Sequence, residues 1–391
     1  MSRSSLPTFT LLASVVFVAL FEIPTVYSFV RTGSSPRLTA SAIYDAAIDE
    51  SKKEDLLAQK KKLLSLIGPK TFNDPVLADP ITKEGVRITS SNSKTLEIKS
   101  SSSKYAGSAD SYLNLLEPVS ETPSSSNADP SSLLKSAMRQ FVPAVPPPLR
   151  GQLNSFLGDE DNEYVPMRDL FTNPSVSFAY ERGWRQGFSA AGFPGPDTEA
   201  QMAMDYFDPV VALSPSSVVV DMSCATGLFT RRLAKTGNYG RVLGCDYSDS
   251  MLTEARRRIK ADPELSPKSL KTSLDLVRLD VGQIPMRTES VDCLHAGAAM
   301  HCWPDLNAAS SEIHRVLKPG GRYFATTFLS TYFRNVAAMD GQSGMSPSQQ
   351  AFQYFDSVEG LKDLLVRGGF EDSKVTIEVL GTACVVIRAE K

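Results

Sequence analysis

Residues with specialised side-chain chemistry are scarce in this sequence, and the scarcity excludes several classes of protein. There are three histidines and two tryptophans among 391 residues, and the net charge is −3. A chain without a basic excess offers no field for a phosphate backbone, so we expect no nucleic-acid partner. The five cysteines, at positions 224, 245, 293, 302 and 384, lack the spacing of a disulfide framework and fall mostly in apolar runs.

The start of the chain has the composition of a targeting sequence. Its apolar run from residue 11 to residue 21 is too short to span a membrane, and small residues follow it, so residues 1–28 are predicted to be a signal peptide. Residues 29–44 contain two arginines, many hydroxyl residues and no acid, as transit peptides do. Together they resemble the bipartite presequence of algae with secondary plastids, in which a residue such as Phe29 begins the transit part. The prediction is plastid localisation, and ordinary secretion is the alternative.

Residues 45–165 are expected to form a variable N-terminal region. Apolar residues recur at helical spacing from Ile43 to Ile67, which predicts one amphipathic helix. Residues 89–160 are rich in Ser, Pro and Asn, which favours poorly ordered structure over a packed core. Lysines 60–62 would allow peripheral association with a membrane or a lipid droplet, although a solvated helix is the simpler interpretation.

Residues 166–391 alternate between β-type and helical periods, which predicts an α/β domain with a doubly wound, mainly parallel sheet. The expected strands are Ser217–Met222, Arg241–Cys245, Leu274–Leu279, Val291–His295 and Arg322–Phe328, and the expected helices are Gly227–Ala234, Ser250–Lys260, Leu306–Val316 and Val358–Arg367. Two further β-rich runs, Lys374–Val379 and Thr382–Arg388, are joined by a short turn and predict a terminal antiparallel hairpin.

The most informative segment is Val218–Gly227, with the sequence VVVDMSCATG. A short apolar run, an acid and a cluster of small residues predict a buried parallel strand that turns tightly into a helix, whose N–H groups face a ligand. Ser223, Ala225 and Gly227 are small enough for a ligand to approach the backbone. Asp246 follows Gly227 at the spacing of about 20 residues that is typical of a ribose-binding carboxylate. The segment therefore predicts a nucleotide-cofactor site, although a nicotinamide dehydrogenase would use the same carboxylate.

The pattern D-x-S-x-A-x-G that begins at Asp221 resembles motif I of class I S-adenosylmethionine-dependent methyltransferases, D/E-x-G-x-G-x-G, with two glycines replaced. Later landmarks of the methyltransferase-11 type of domain follow in order: Asp280 after the third strand, Val291–Gly297 as the fourth strand, and the L-K-P-G-G turn at Leu317–Gly321. The resemblance implies a Rossmann-like methyltransferase fold with a mainly parallel seven-stranded sheet. It also implies S-adenosyl-L-methionine as the cofactor.

Two segments narrow the resemblance: Leu170–Ala200, which contains FAYERGWRQGF, and His295–Asp305, HAGAAMHCWPD. They are similar to plant and algal plastid methyltransferases related to ubiquinone-pathway C-methyltransferases. In those plant relatives a Cys-rich, zinc-ribbon-like segment precedes the catalytic domain. The corresponding stretch, Phe72–Ile88, contains no Cys or His here, so we expect no metal site.

The resemblance also assigns roles to the cofactor-binding residues. Asp221 would hold the turn and meet the amino-acid end of the cofactor, which Ser223, Ala225 and Gly227 admit to the backbone; Asp246, followed by Tyr247, would bind the ribose, and Asp280 with Val281 would flank the adenine. We expect a negative φ at Ala225, because a positive φ would cost an alanine on the order of 1 kcal/mol.

Aromatic residues and one histidine are the candidates on the acceptor side. His301 follows the carboxyl end of the fourth strand, where open α/β sheets place ligands, so we hypothesise that it is the catalytic base, with Trp303 as a neighbouring wall. A structural histidine is the alternative, and His295 and His314 are expected to have structural roles. Tyr180 and Trp184 are predicted to bind the substrate as part of an aromatic cover, or else to pack on the sheet.

Methyl transfer needs little from a protein beyond alignment and exclusion of water, and these residues suit that task. The sequence therefore predicts an enzyme, a plastid S-adenosylmethionine-dependent methyltransferase that acts on a small lipophilic acceptor such as a prenylated quinone or a pigment precursor. The alternative is a non-catalytic plastid binding protein that associates with lipid or membrane and retains the fold.

Overall fold

The computed structural model describes residues 70–90, 95–108, 110–119, 185–331 and 355–391. The predicted presequence, the helix expected over Ile43–Ile67, and the candidate residues Tyr180 and Trp184 lie outside this part of the chain. Within it, no helix is both long enough and apolar enough to cross a membrane.

The described residues contain twelve strands and five α-helices. The strands are β1 Lys70–Ala78, β2 Gly85–Ser90, β3 Thr95–Lys99, β4 Lys104–Ser108, β5 Leu113–Asn114, β6 Val218–Met222, β7 Arg241–Asp246, β8 Ser273–Arg278, β9 Val291–Gly297, β10 Leu317–Phe328, β11 Val375–Leu380 and β12 Cys384–Glu390. The helices are α1 Pro196–Val211, α2 Leu228–Thr236, α3 Asp249–Ala261, α4 Leu306–Val316 and α5 Val358–Arg367.

All strands join one mixed sheet in the order β1-β2-β3-β4-β5-β8-β7-β6-β9-β10-β12-β11. The five strands from β8 to β10 are parallel, and β12 and β11 close that end as an antiparallel hairpin. The predicted strand and helix alternation and the terminal hairpin are therefore confirmed. β6 is the middle one of the five parallel strands, with β7 and β8 on one side and β9 and β10 on the other. The order of the strands reverses beside β6, and a crevice opens there at the carboxyl ends of β6 and its neighbours.

Helices cover both faces of this sheet because its central strands are apolar on both sides. All five residues of β6 and all seven residues of β9 are buried. One face packs against α1, α2 and α3 through residues such as Phe207 and Leu233, and the other packs against α4 and α5 through residues such as Ile313 and Leu361. This is the doubly wound arrangement that the sequence predicts.

The prediction of a seven-stranded sheet preceded by a poorly ordered N-terminal region is wrong, because residues 70–119 add five strands to the sheet. Five additional strands extend the sheet beyond β8, where β5 pairs in parallel with it. The prediction rested on the Ser-rich composition and missed the alternation of apolar and polar residues. Val86, Ile88, Ile98 and Tyr105 are buried on one side of these strands while their neighbours face solvent.

Two buried carboxylates fix the added strands. The two side-chain oxygens of Asp79 accept hydrogen bonds from the amides of Ile81 and Thr82 and from the hydroxyls of Ser100 and Tyr105, at 2.8–3.1 Å. Asp74 forms an ion pair with Arg241 at the start of β7, at 3.0 Å. The first contact joins two turns of the N-terminal strands, and the second anchors those strands to the parallel sheet.

The L-K-P-G-G segment differs from its prediction as a turn before the fifth strand. It forms the beginning of β10 itself, with a break in register to β9 between Leu317 and Arg322. Gly320 has a φ of 76°, a left-handed value that glycine adopts without strain.

Candidate active site

The turn from β6 to α2 forms the floor of the crevice, and its backbone is left-handed at three alternate residues. The φ angles are 56° at Ser223, 49° at Ala225 and 75° at Gly227. The expected negative φ at Ala225 is therefore wrong. The turn keeps the glycine-type conformation of the pattern D-x-S-x-A-x-G although two glycines are replaced, and each side chain in that region costs on the order of 1 kcal/mol.

Asp246 stands at the end of β7 and faces this turn. Its Oδ2 accepts from the amide of Ala225 at 2.8 Å, and its Oδ1 accepts from the amide of Ser248 at 2.8 Å. Burial raises the pKa of Asp246 to about 6, against the opposing effect of the amides of Ser248 and Ala225. A buried carboxylate beside a tight strand-to-helix turn is the arrangement that binds a sugar diol.

Asp221 lies behind the turn, and its side chain is buried away from the crevice. Its Oδ1 pairs with Nδ1 of His295 on β9 at 2.8 Å, and its Oδ2 accepts from the hydroxyl of Thr230 in α2. The carboxylate therefore joins two central strands and the first turns of α2. This agrees with the expected role of holding the turn, whereas direct contact with a cofactor stays a prediction.

The crevice above the turn is a cleft of about 820 Å³, counting the space that opens to solvent. Of the predicted cofactor-binding residues, Ser223, Ala225, Asp246, Tyr247, Asp280 and Val281 line it, whereas Asp221 and Gly227 are not among its lining residues. Asp280 begins a short 3-10 turn, Val281–Gln283, and its Oδ1 accepts from the amide of Gly282 at 2.8 Å. The cleft thus brings together residues from three successive strand ends, as the resemblance implies.

His301 and Trp303, which follow β9, also line this cleft. Both are buried, at 5% and 4% exposure, and the His301 ring meets the edge of Phe328 at 5.0 Å between centroids. Burial lowers the pKa of His301 to about 3. The imidazole is therefore neutral at physiological pH and is too weak a base to hold a proton there.

The other two histidines lie away from the cleft. His295 is fully buried on β9, paired with Asp221 and in ring contact with Phe229 at 4.5 Å. His314 is part-buried in α4 and packs edge-on against Phe370 at 5.0 Å. Both have the structural surroundings that the sequence predicts.

Several residues that line the cleft were not predicted from the sequence. They are Phe188, Met222, Met251, Leu279, Gly297, Ala298, Ala299, Cys302 and Pro304. Ala298 has a φ of 51°, and its amide donates to the hydroxyl of Thr326, which donates to the buried carboxylate of Glu199 at 2.7 Å. The apolar residues gave no separate signal, because in the sequence they look like ordinary core positions.

A family model described as "Methyltransferase domain" matches residues 220–325, which include the turn, Asp246, Asp280 and the loop that carries His301 and Trp303. Residues 220–325 are therefore the part of the chain that is similar to a methyltransferase domain. Within the part of the chain that the structure describes, this domain and the strands around it contain no group of three or more His, Cys, Asp or Glu side chains that could hold a metal ion.

Individual proteins are similar to this chain over part of its length. An uncharacterised chloroplastic methyltransferase of Arabidopsis thaliana is 46% identical over 172 residues, which cover 44% of this chain and 47% of the relative. A demethylmenaquinone methyltransferase of Desulfitobacterium hafniense is 22% identical and covers 59% of this chain and 88% of its own length. Against the Arabidopsis relative, therefore, the chain spans about half of the relative's length.

Solved structures with partial similarity to this chain include the following one. It is phosphoethanolamine N-methyltransferase 2 of Haemonchus contortus in complex with S-adenosyl-L-methionine, at 20% identity and a TM-score of 0.41, covering 56% of this chain and 47% of that one.

Proposed function

We propose that the protein is an S-adenosyl-L-methionine-dependent methyltransferase for a small apolar acceptor. The observation that carries the proposal is the cleft itself, in which the left-handed turn after β6 faces the buried carboxylate of Asp246 at the ends of adjacent parallel strands. Open α/β sheets bind their ligands at this edge. The matched methyltransferase domain makes a methyl donor the ligand that fits best.

The residues present fit that donor from one end to the other. Asp246 offers two carboxylate oxygens to the ribose hydroxyls, and the side chains of Met251, Leu279 and Val281 offer an apolar slot for the adenine. Asp280 lies beside this slot and can accept from the exocyclic amine. The backbone at Ser223 and Ala225 would meet the amino-acid end, since both residues line the cleft.

The donor supplies an electrophilic methyl group on a sulfonium sulfur, so this chain has to align the acceptor and exclude water. Phe188, His301 and Trp303 form the apolar end of the cleft where the acceptor would lie. We propose that His301 contacts the acceptor as a neutral ring. Its lowered pKa argues against the predicted role as a general base and favours transfer to an acceptor that is already nucleophilic.

A planar, lipophilic acceptor of the prenylated-quinone or pigment-precursor type suits these walls. The demethylmenaquinone methyltransferase of Desulfitobacterium hafniense supports a quinone-type acceptor. The plastid location follows from the two-part presequence and is supported by the name of the chloroplastic Arabidopsis relative. Such an acceptor resides in membranes, so peripheral membrane contact belongs to the same proposal and can be measured by co-sedimentation with vesicles of plastid lipids.

The test is transfer of a labelled methyl group. The protein is incubated with methyl-labelled S-adenosyl-L-methionine and demethylmenaquinol, and the organic phase is assayed for label. We expect label in the organic phase with the wild-type protein and its loss with Asp246→Asn. Binding of S-adenosyl-L-homocysteine without transfer to this acceptor would limit the proposal to the donor, and competition by NAD would favour a dehydrogenase.

A further inference from the structure

A hydrogen bond joins the loop after β9 to the turn after β6, across the cleft. The indole Nε1 of Trp303 donates to Oγ of Ser223 at 2.9 Å. We propose that Ser223 is a positioning residue that ties the acceptor wall to the donor-binding turn, an inference that rests on the proposed function. Neither the match to the methyltransferase domain nor the pattern around Asp221 assigns this role to the serine.

The bond connects segments that are far apart in sequence. Ser223 directly follows β6 and is half-buried in the turn. Trp303 follows the short 3-10 turn Met300–Cys302 after β9 and is only 4% exposed. A buried indole N–H needs an acceptor, because leaving it without one costs its full desolvation. The serine hydroxyl therefore sets where the tryptophan ring can lie.

The backbone at Ser223 gives an independent reason to look for a role of the hydroxyl. Its φ of 56° is a conformation that glycine adopts freely and that other residues adopt under strain. Glycine is also what the motif I pattern places here. A serine at this position therefore adds strain to the turn. In this structure its hydroxyl accepts the hydrogen bond from Trp303, which a glycine could not do.

The consequence is a coupling between donor and acceptor ends of one cleft. The loop that Ser223 holds through Trp303 also carries His301, Cys302 and Pro304, all of which line the acceptor end. A methyl donor whose amino-acid end contacts Ser223 would therefore contact the residue that is bonded to this loop. Binding of the donor would then change the position of the Trp303 ring, which is part of the proposed acceptor wall.

Tryptophan fluorescence tests this inference without an acceptor. The chain has two tryptophans, so Trp184→Phe leaves Trp303 as the only reporter. In this background we expect Ser223→Ala to raise the acrylamide quenching of Trp303 several-fold and to shift its emission to the red. The matched control is Ser290→Ala, which removes a part-buried hydroxyl bonded to the carbonyl of Arg287 outside the cleft. Quenching equal in the Ser223 and Ser290 variants would overturn the proposal.

Titration with S-adenosyl-L-homocysteine extends the test to the coupling. At saturating ligand, we expect the ligand to change Trp303 emission in the Trp184→Phe protein and to lose this effect in the Ser223→Ala variant. The same emission change in both proteins would overturn the coupling. Absence of binding to either protein would count against the proposed function, and the quenching comparison would still decide the positioning role. Ser223→Gly, which relieves the strain, gives a second variant that keeps the fold.

Discussion

At the residue scale, the cleft contains strained backbone and buried titratable side chains. Ser223, Ala225 and Ala298 have positive φ angles of 56°, 49° and 51°, and all three line the cleft. Buried Asp246 has a pKa well above its ordinary value, and buried His301 has one well below it. Each of these features costs folding free energy and is retained at a site for a ligand.

Relief of strain at Ala225 should stabilise the protein. Ala225→Gly keeps the amide that donates to Asp246 and removes the Cβ from a left-handed residue. We expect a free energy of unfolding higher by about 1 kcal/mol in urea titrations. Ala234→Gly is the matched control, because Ala234 is buried within α2, where glycine is expected to destabilise by a similar amount or more. Equal destabilisation by both changes would contradict the strain at Ala225.

The raised pKa of Asp246 predicts a stability that depends on pH. The folded pKa of about 6 exceeds the unfolded value of 3.8, so the folded protein retains the proton in that interval. The free energy of unfolding should then fall by on the order of 2–3 kcal/mol as the pH rises from about 4 to about 6. Asp246→Asn should remove this component of the pH dependence. A pH dependence that is the same in both proteins would show that the carboxyl titrates normally.

The lowered pKa of His301 makes a prediction about the rate of methyl transfer. A neutral ring throughout the range from pH 5 to pH 8 should contribute no inflection to the rate profile. His301→Gln should therefore change the rate without changing the shape of the profile. Loss of an inflection near pH 6–7 in the Gln variant would instead identify His301 as a base.

The local sequence pattern predicted residues at the proposed donor-binding part of the cleft. The contacts between the other residues depend on long-range packing, which the local pattern does not record. Gly227 and Asp246 were recognisable because spacing along the chain reports the strand ends. The bonds of Asp221 to His295 and of Trp303 to Ser223 join residues 74 and 80 positions apart, and no local pattern records them. The sign of φ at Ala225 was wrong because residue type was given more weight than the conformation that the turn requires.

At the element scale, the added N-terminal strands support the donor half of the cleft. β5 pairs with β8, and the amide of Leu115 donates to the carbonyl of Arg278 at 3.0 Å. The Arg278 side chain in turn donates to the carbonyl of Tyr247 at 3.0 Å, and the Tyr112 hydroxyl bonds to Asp249 at the start of α3. The strands that composition alone assigned to a loose region therefore hold the loop beside Asp246.

Asp79, directly after β1, should be a sensitive position of the N-terminal region. Asp79→Ala removes four hydrogen bonds and leaves the buried Tyr105 hydroxyl without this acceptor, so we expect a loss of about 2–4 kcal/mol in the free energy of unfolding. Glu97→Ala on β3 is the control, because its partner Lys99 is exposed. Urea titration of both variants gives the comparison. A loss at Asp79 no larger than that at Glu97 would contradict the role of this carboxylate.

At the scale of the whole molecule, one continuous sheet connects the N-terminal strands, the cleft and the terminal hairpin. Alternation of strand and helix predicted the parallel part because that pattern repeats over many residues. The extension was missed because Ser-rich segments separate its strands, and its pairing with β8 is decided by distant contacts such as Asp74 with Arg241. The proposed function depends on one claim, that the edge of this sheet binds a methyl donor through Asp246.

Calorimetric titration with S-adenosyl-L-homocysteine tests that claim most directly. We predict saturable binding in the micromolar range to the wild-type protein and at least about tenfold weaker binding to Asp246→Asn, a loss of roughly 1.4 kcal/mol. The Asp280→Asn variant, which retains an acceptor oxygen beside the adenine slot, should lose less. Absence of heat with the wild-type protein, or equal affinity in the Asp246 variant, would contradict the account.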